Sequence, residues 1–216
     1  MEYNLIQSGS SGNCLILNEV IALDMGVPYK KVSPYVKELQ LVFVGHQHGD
    51  HFKKSTINRL AEERPLLRFC GGEWMAGMFT LAGVSKRNID VLEAGKRYDY
   101  GSFQIEPFNL HHDVPNIGLK IYLNGEKIIY IVDTGHVDDI EAKGFDYYFL
   151  EANHAKSDIE SRAKEKIERG EFAYELRAAA NHLSYEQAMD FLSENMGPNS
   201  QYVLLHQHKE EEKQHG

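Results

Sequence analysis

The sequence of 216 residues contains little cysteine, no long apolar run and no excess of positive charge. Its two cysteines, Cys14 and Cys70, exclude a disulfide-rich scaffold. They could form one disulfide, but we predict two reduced thiols, as in a cytosolic protein. No apolar run approaches the roughly 18–20 residues of a membrane-spanning helix. The first residues lack the basic and apolar regions of a signal peptide, so we expect a cytoplasmic protein.

The net charge of −9 opposes binding of extended nucleic acid unless a local basic groove or bound cations reverse the potential. The sequence also contains no internal repeat and no Pro/Ser-rich linker, so we expect a single domain over residues 1–207. Residues 208–216 (HKEEEKQHG) are charged and are expected to form a disordered tail. The sequence allows a homodimer.

Apolar periodicity predicts a strand-rich chain with helices inserted at intervals. The predicted strands are 3–7, 14–18, 20–23, 40–44, 102–110, 117–123, 127–132, 146–150 and 202–205. The predicted helices are 28–38, in which Pro34 could introduce a kink, 56–64, 73–81, 155–180 with a break near Gly170, and 185–195 with Ser184 as its N-cap. This order favours an α/β (α+β) fold of two sheets with helices outside them over a helix bundle or a pure β-sandwich.

Histidine is abundant, and three of the 11 histidines fall within residues 46–51. There the predicted buried strand 40–44 gives way to the candidate metal ligands His46, His48, Asp50 and His51. On an extended segment His46 and His48 face the same side and can bind one ion. Asp50 and His51 follow at a turn, where they can face a second ion. Imidazole with carboxylate suits zinc, manganese or iron better than calcium or magnesium.

A site for two ions needs further ligands, which we expect at the ends of other strands. Polar candidates occur where later apolar runs end: His111 and His112, then Asp133, then His206. Of the first pair, His112 is the preferred ligand and His111 is the alternative. The carboxylate of Asp133 can bridge two ions, because each of its oxygens can bind one.

The segment HQHGDH (46–51) is similar to the HxHxDH signature of the metallo-β-lactamase superfamily, and the later His, Asp and His follow in the order usual for that family. ALDMG (22–26) resembles its early Asp motif, which assigns Asp24 a supporting role, and IVDTG (131–135) resembles the segment with the bridging Asp133. The resemblance implies a four-layer αββα sandwich with two divalent metal ions at one edge of its sheets.

Several segments resemble the YycJ/WalJ-type exonuclease branch of this superfamily: SGSSGNCLIL (8–17), His112-Asp113, LEANH (150–154) and NHLSYEQA (181–188). A glutamate segment followed by a histidine segment is also found in ribonuclease Z. This resemblance implies that His182 donates a proton to the leaving oxygen and that Glu151 orients it. The Gly/Ser-rich residues 8–13 could contact phosphate through backbone N–H groups, or they could form a tight turn under the site.

The chain departs from the branch at Gly45, where many relatives have Thr or Ser, and at the final motif LLHQHKE. The main hypothesis is a metal-dependent phosphodiesterase or nuclease acting on DNA or RNA, in which Asp50 also holds the attacking water and accepts its proton. The second is a small-molecule hydrolase with the same metal site, acting on a cyclic phosphodiester, lactone or thioester. The third, a metal-stabilised binding protein, is disfavoured because every expected ligand position is filled.

Overall fold

The computed structural model describes residues 1–172 and 175–207. The expected tail at 208–216 lies outside the described residues, so its disorder stays a prediction. Within the described residues the strands form two six-stranded sheets. The first sheet follows the chain order β1 (Tyr3–Gln7), β2 (Cys14–Leu17), β3 (Ile21–Leu23), β4 (Leu41–Phe43), β5 (Arg68–Gly71) and β6 (Ile89–Val91). The second contains β7 (Tyr98–Asp99), β8 (Phe103–Leu110), β9 (Asn116–Leu123), β10 (Glu126–Ile131), β11 (Tyr147–Glu151) and β12 (Gln201–Leu205).

The side chains of the inner strands alternate between two apolar layers, as a sheet covered on both faces requires. In β2, Leu15 and Leu17 pack in the cluster between the two sheets. Cys14 and Ile16 point to the opposite face and pack in a second cluster. This alternation explains why β2 is buried along its whole length.

Helices cover the outer faces of both sheets. The described helices are α1 (Tyr29–Val32), α2 (Lys54–Glu63), α3 (Glu73–Leu81), α4 (Lys156–Glu168), α5 (Glu175–Asn181) and α6 (Tyr185–Asn195). Side chains of α2 and α3, among them Leu60 and Phe79, pack on the first sheet. Phe191 and Leu192 of α6 pack on the second sheet. The predicted αββα sandwich is therefore confirmed.

The predicted helix over 28–38 is wrong beyond its first turn, because α1 ends at Val32. Pro34 has no N–H to continue the helical hydrogen bonds, and the chain runs on to Glu38 in turns. The predicted break near Gly170 is confirmed, since this glycine has a φ of 72° just after α4. Ser184 caps α6 in a reciprocal capping box with Gln187, also as predicted.

Strands β5, β6 and the two-residue β7 were not predicted. The sequences of β5 and β6, RFCG and IDV, contain charged residues and lack the continuous apolar run of β2, β3 and β4. Their pairing is parallel, from β4 to β5 to β6, and this extends the first sheet. Cys14 and Cys70 are buried free thiols, as predicted. Among the described residues no helix combines the length and the apolar character needed to cross a bilayer.

Candidate metal centre

The candidate ligands lie where strands of both sheets end. The segment with His46, His48, Asp50 and His51 connects β4 to α2. In the second sheet β10, β11 and β12 are mutually parallel, so the residues after them meet at one edge. His112 follows β8, Asp133 follows β10, Glu151 ends β11 and His206 follows β12. Residues far apart in sequence therefore surround one space.

The first group of potential ligands contains His46, His48, His112 and Asp133, whose ligand atoms all lie within 4.8 Å of one another. Nε2 of His46 is 3.0 Å from Nδ1 of His48 and 3.2 Å from Oδ2 of Asp133. Nε2 of His112 is 3.3 Å from Nδ1 of His48. Three imidazoles and one carboxylate thus point towards one position, which is a ligand set suited to a tetrahedral zinc ion.

The second group contains Asp50, His51, Asp133 and His206, again with ligand atoms within 4.8 Å of one another. Nε2 of His51 lies 2.9 Å from Oδ2 of Asp133 and 3.4 Å from Oδ2 of Asp50. Nε2 of His206 is also 3.4 Å from Oδ2 of Asp50. Asp133 is the residue that both groups share, and it lies between them as a bridging carboxylate would.

Asp133 is buried, and its Oδ1 accepts no hydrogen bond although Nδ1 of His206 is 3.1 Å away. Burial alone would raise the pKa of Asp133, but the charge on His51 and contacts with His182 and His46 lower it well below its usual value. A buried anion with an oxygen that accepts no hydrogen bond is stabilised by nearby positive charge, supplied by protonated histidines or by metal ions that replace their protons. The residues present therefore fit divalent metal ions.

The imidazoles separate into two electrostatic types. Burial lowers the pKa of His46 and His112, which keeps these rings neutral, the form that binds metal. Burial opposes charge on His206 too, but hydrogen bonds with Asp50 and Glu151 raise its pKa to about 9. In the same way Asp24 and Asp133 hold the pKa of His51 well above normal in spite of burial. Protons on these two rings balance the surrounding carboxylates, and bound cations can replace them.

Asp24 orients His51 from behind, which agrees with the supporting role expected for it. Its Oδ2 lies 2.7 Å from Nδ1 of His51 and accepts a hydrogen bond from the Tyr130 hydroxyl at 2.6 Å. Its Oδ1 accepts the N–H of Gly45 at 3.1 Å. These bonds leave Nε2 of His51 facing the site. Tyr130 was not predicted as part of the site, because in the sequence it is one of several apolar residues of a strand.

The structure leaves no room for a side chain at Gly45. A Cβ on this residue would lie 2.6 Å from Oδ1 of Asn116 and 2.9 Å from the Ile117 carbonyl. Asn116 is itself fixed, because its amide donates to the carbonyls of Val132 and Asp133. A side chain at position 45 would therefore displace the start of β9 and the Asn116 amide that holds the backbone at Asp133.

Residues 8–13 form a turn at the site, in which the N–H of Gly12 donates a hydrogen bond to the carbonyl of Gly9 at 2.9 Å. From this turn the Asn13 amide donates to Oδ2 of Asp50 at 3.2 Å and lies 2.9 Å from Nε2 of His51. The hydroxyl of Ser8 accepts the N–H of His206 at 2.6 Å. The structure thus agrees with a tight turn under the site. Asn13 is a contact that sequence analysis missed, because only the position of the turn was readable.

Glu151 and His182 lie together, as the resemblance implied. Oε1 of the fully buried Glu151 is 2.6 Å from Nδ1 of His182 and 3.0 Å from Nδ1 of His206. Burial opposes charge on His182, but its contacts with the carboxylates of Asp133 and Glu151 raise its pKa to about 10. These two carboxylates therefore favour the protonated form of His182. With Nδ1 held by Glu151, its Nε2 is left for the cavity that His182 lines.

His111 does not face the two ligand groups. Its ring stacks on His136 at 3.8 Å between centroids, and its Nε2 lies 3.1 Å from Oδ2 of Asp139. Its side chain is 43% exposed, whereas that of His112 is 3% exposed. The structure therefore places His112, and not His111, at the ligand position that the sequence left open.

The site opens to solvent through a cavity of about 310 Å³. Its lining includes His48, Asp50, His112, Asp133, His182 and His206. A larger cavity of about 810 Å³ beside α6 is lined by neither histidine nor cysteine. The chemistry is therefore expected in the smaller cavity, where the candidate ligands are.

The loop that carries Asp50 packs so closely on Gly26 that a Gly26→Ala variant is expected to lose stability. A Cβ on Gly26 would lie 1.7 Å from the carbonyl oxygen of Asp50, so the backbone would have to move. We expect a loss of about 2–3 kcal/mol, or a melting temperature lower by roughly 5–10 °C, together with weaker metal binding. Gly49→Ala is the matched control, because a Cβ there meets nothing within 4 Å. Calorimetry showing equal melting temperatures for the two variants would contradict this packing.

The four-layer fold with a His/Asp cluster at its strand ends places the protein in the class of metallo-β-lactamase-fold proteins. Residues 23–207 match the family model described as "Beta-lactamase superfamily domain". The chain belongs to this family.

Comparison with known proteins gives relatives in both sequence and structure. The exodeoxyribonuclease WalJ of Streptococcus pneumoniae is 26% identical over 229 residues, covering 94% of this chain and 80% of that protein. The metallo-β-lactamase-fold protein YhfI of Bacillus subtilis superposes with a TM-score of 0.70 at 17% identity, over 95% of this chain and 85% of its own. The short form of human tRNase Z has a TM-score of 0.68 at 14% identity, over 96% and 93% of the two chains. These solved structures show the fold.

Proposed function

We propose that the protein is a two-metal phosphodiesterase that hydrolyses DNA or RNA, with zinc or manganese as its ions and iron as the alternative. The main support for this proposal is that Asp133 belongs to both groups of four potential ligands. His46, His48 and His112 would hold one ion, and Asp50, His51 and His206 the other. When bound, such ions activate water at neutral pH and stabilise charge on phosphoryl oxygens.

Asp50 is placed to accept a proton from the attacking water. Burial alone would raise its pKa, but hydrogen bonds with His206 and His51 lower it below its usual value, so it is a carboxylate at neutral pH. Its Oδ2 is fixed by the Asn13 amide, and its side chain lines the open cavity. The carboxylate is therefore held in one orientation while it faces the solvent from which the water comes.

His182 is placed to donate the proton that the leaving oxygen needs. The carboxylates of Asp133 and Glu151 favour its protonated form by raising its pKa, and the 2.6 Å contact with Glu151 fixes the ring. Oε2 of Glu151 accepts the N–H groups of Thr134 and Leu183 at 3.1 and 3.4 Å, so the carboxylate is itself immobilised. Glu151 thus acts as the positioning residue of a proton-donating pair.

The named activities of relatives support a nucleic-acid substrate. The WalJ relative is named an exodeoxyribonuclease, and one structural neighbour is a tRNase Z. Another structural neighbour contains bound zinc. A nucleic-acid substrate together with free thiols supports the expected cytoplasmic location.

A small-molecule hydrolase is the second candidate, favoured by the net charge of −9 and the modest size of the cavity. The deciding experiment assays purified protein with manganese or zinc on labelled single-stranded DNA, RNA, bis-p-nitrophenyl phosphate and a lactone panel. We expect hydrolysis of the phosphodiesters, loss of activity in a chelator and recovery on adding metal. Turnover of lactones alone would overturn the proposed substrate class.

A further inference from the structure

Helix α5 brings a cationic side chain to the mouth of the candidate metal centre. At its last residue the Asn181 carbonyl lies 3.1 Å from Nδ1 of His112, so this end of α5 contacts the first ligand group directly. Arg177 lies four residues earlier and therefore on the same face of the helix. Both Arg177 and Asn181 line the 310 Å³ cavity. The contact of α5 with His112 thus also fixes where Arg177 can reach.

The cavity needs a cation of this kind if its substrate is an anion. Among the described residues that line it, the carboxylates are Asp50, Asp113 and Asp133, and Arg177 is the single lysine or arginine. Two divalent ions at the metal centre would both contact the reacting phosphate group. A further positive group at the rim would hold a substrate oxygen without competing for those ions.

Asp113 holds one side of the guanidinium. Its Oδ2 accepts Nη2 of Arg177 at 2.5 Å. Its Oδ1 lies 3.3 Å from Nε2 of His112 and 3.4 Å from Nε2 of His48. The carboxylate therefore links Arg177 to the ligand group. A guanidinium has five N–H donors, and with 71% of its side chain exposed Arg177 keeps donors directed to solvent.

We propose that Arg177 binds a non-bridging phosphate oxygen of the substrate at the rim of the metal centre and so selects anionic phosphodiesters over neutral esters. This inference rests on the proposed phosphodiesterase function for its substrate. The planar fork of a guanidinium matches the geometry of two phosphate oxygens, whereas a lysine offers only a point charge. Substrate orientation then follows from the fixed pair of Asp113 and Arg177.

The test compares Arg177→Ala and Arg177→Lys with the metal-loaded wild type. Arg177→Ala is expected to raise KM for bis-p-nitrophenyl phosphate by about tenfold to a hundredfold, because a charge-assisted hydrogen bond to the substrate is lost. We expect little change in kcat. The KM of Arg177→Lys is expected to lie between that of the wild type and that of Arg177→Ala. Hydrolysis of the neutral p-nitrophenyl acetate and the metal content should not change. Arg169→Ala is the matched control, since Arg169 is also exposed and paired with one carboxylate, Glu165.

Binding of thymidine 5′-monophosphate, measured by calorimetry, separates this inference from the proposed function because it needs no turnover. Weaker binding by Arg177→Ala, with unchanged metal content, supports the inference even if the wild type hydrolyses no phosphodiester. Equal binding by wild type and Arg177→Ala overturns it, as does an absence of binding by the wild type. An equal loss of activity of Arg177→Ala on the anionic and the neutral ester, together with a loss of metal, would also overturn it. That result would show that Arg177 acts only by positioning Asp113.

Discussion

An Asp133→Asn variant is expected to lose at least one of its two metal ions and to hydrolyse bis-p-nitrophenyl phosphate more than about 10³-fold more slowly. The carboxylate belongs to both ligand groups, with its Oδ2 3.2 Å from Nε2 of His46 and 2.9 Å from Nε2 of His51. An amide has no charge and only one acceptor oxygen, so it cannot bridge two cations. Elemental analysis and kcat measure the two effects.

The substitution should leave the backbone intact. Asp133 has a φ of 60°, and asparagine tolerates this left-handed conformation better than other residues with a side chain. The control is Asp139→Asn, because Asp139 contacts the outward-facing His111 and should leave both ions bound. Two retained ions and normal turnover in Asp133→Asn would show that this residue does not bridge the site.

The second large effect is expected for His182→Ala, which should slow cleavage of an oligonucleotide by about 10²–10⁴-fold, the range for loss of a general acid. His182 belongs to neither of the two ligand groups described above; it lies with Asp133, Glu151 and His206 in a third cluster of potential ligand atoms, where its Nδ1 is 2.6 Å from Oε1 of Glu151. Metal content should therefore stay at the wild-type level. By contrast, His48→Ala removes a ring of the first group and should lose both metal and activity.

The effect of His182→Ala should depend on whether the leaving group needs a proton. Release of p-nitrophenolate needs no proton, so His182→Ala should slow bis-p-nitrophenyl phosphate hydrolysis far less than oligonucleotide cleavage. His136→Ala is a control histidine, since it stacks with His111 away from both ligand groups. Equal metal loss in His182→Ala and His48→Ala, or equal slowing on both substrates, would contradict the proton-donating role.

Local pattern predicted most of the fold but not all of its first sheet. Strands β2, β8 and β10 showed clear apolar runs bounded by turn residues, and the structure places them close to the predicted ranges. The short strands β5 and β6 had no such signal, and they are placed by parallel pairing along the sheet, β5 with β4 and β6 with β5. Helix α1 was predicted too long, since its apolar spacing continued past the proline that stops it.

The residues of the site also divide into those that local sequence could show and those that it could not. HQHGDH placed four candidate ligands within one segment, so local spacing alone could show them. Arg177 and Asn13 were not predicted as part of the site, because each reaches it from an element remote in sequence. Their contacts depend on how α5 and the 8–13 turn pack, which no spacing within either segment records.

By itself the sequence determined which residue types end the strands, and with them the kind of metal chemistry, because strand period and turn residues are local properties. It could show that His111 and His112, as neighbours, would point to opposite sides. Only the tertiary structure decided that His112 is the one that faces inward, since that choice depends on the register of β8 against β9. The sharing of Asp133 between two ligand groups was likewise decided by the meeting of two sheets, which is a long-range packing result.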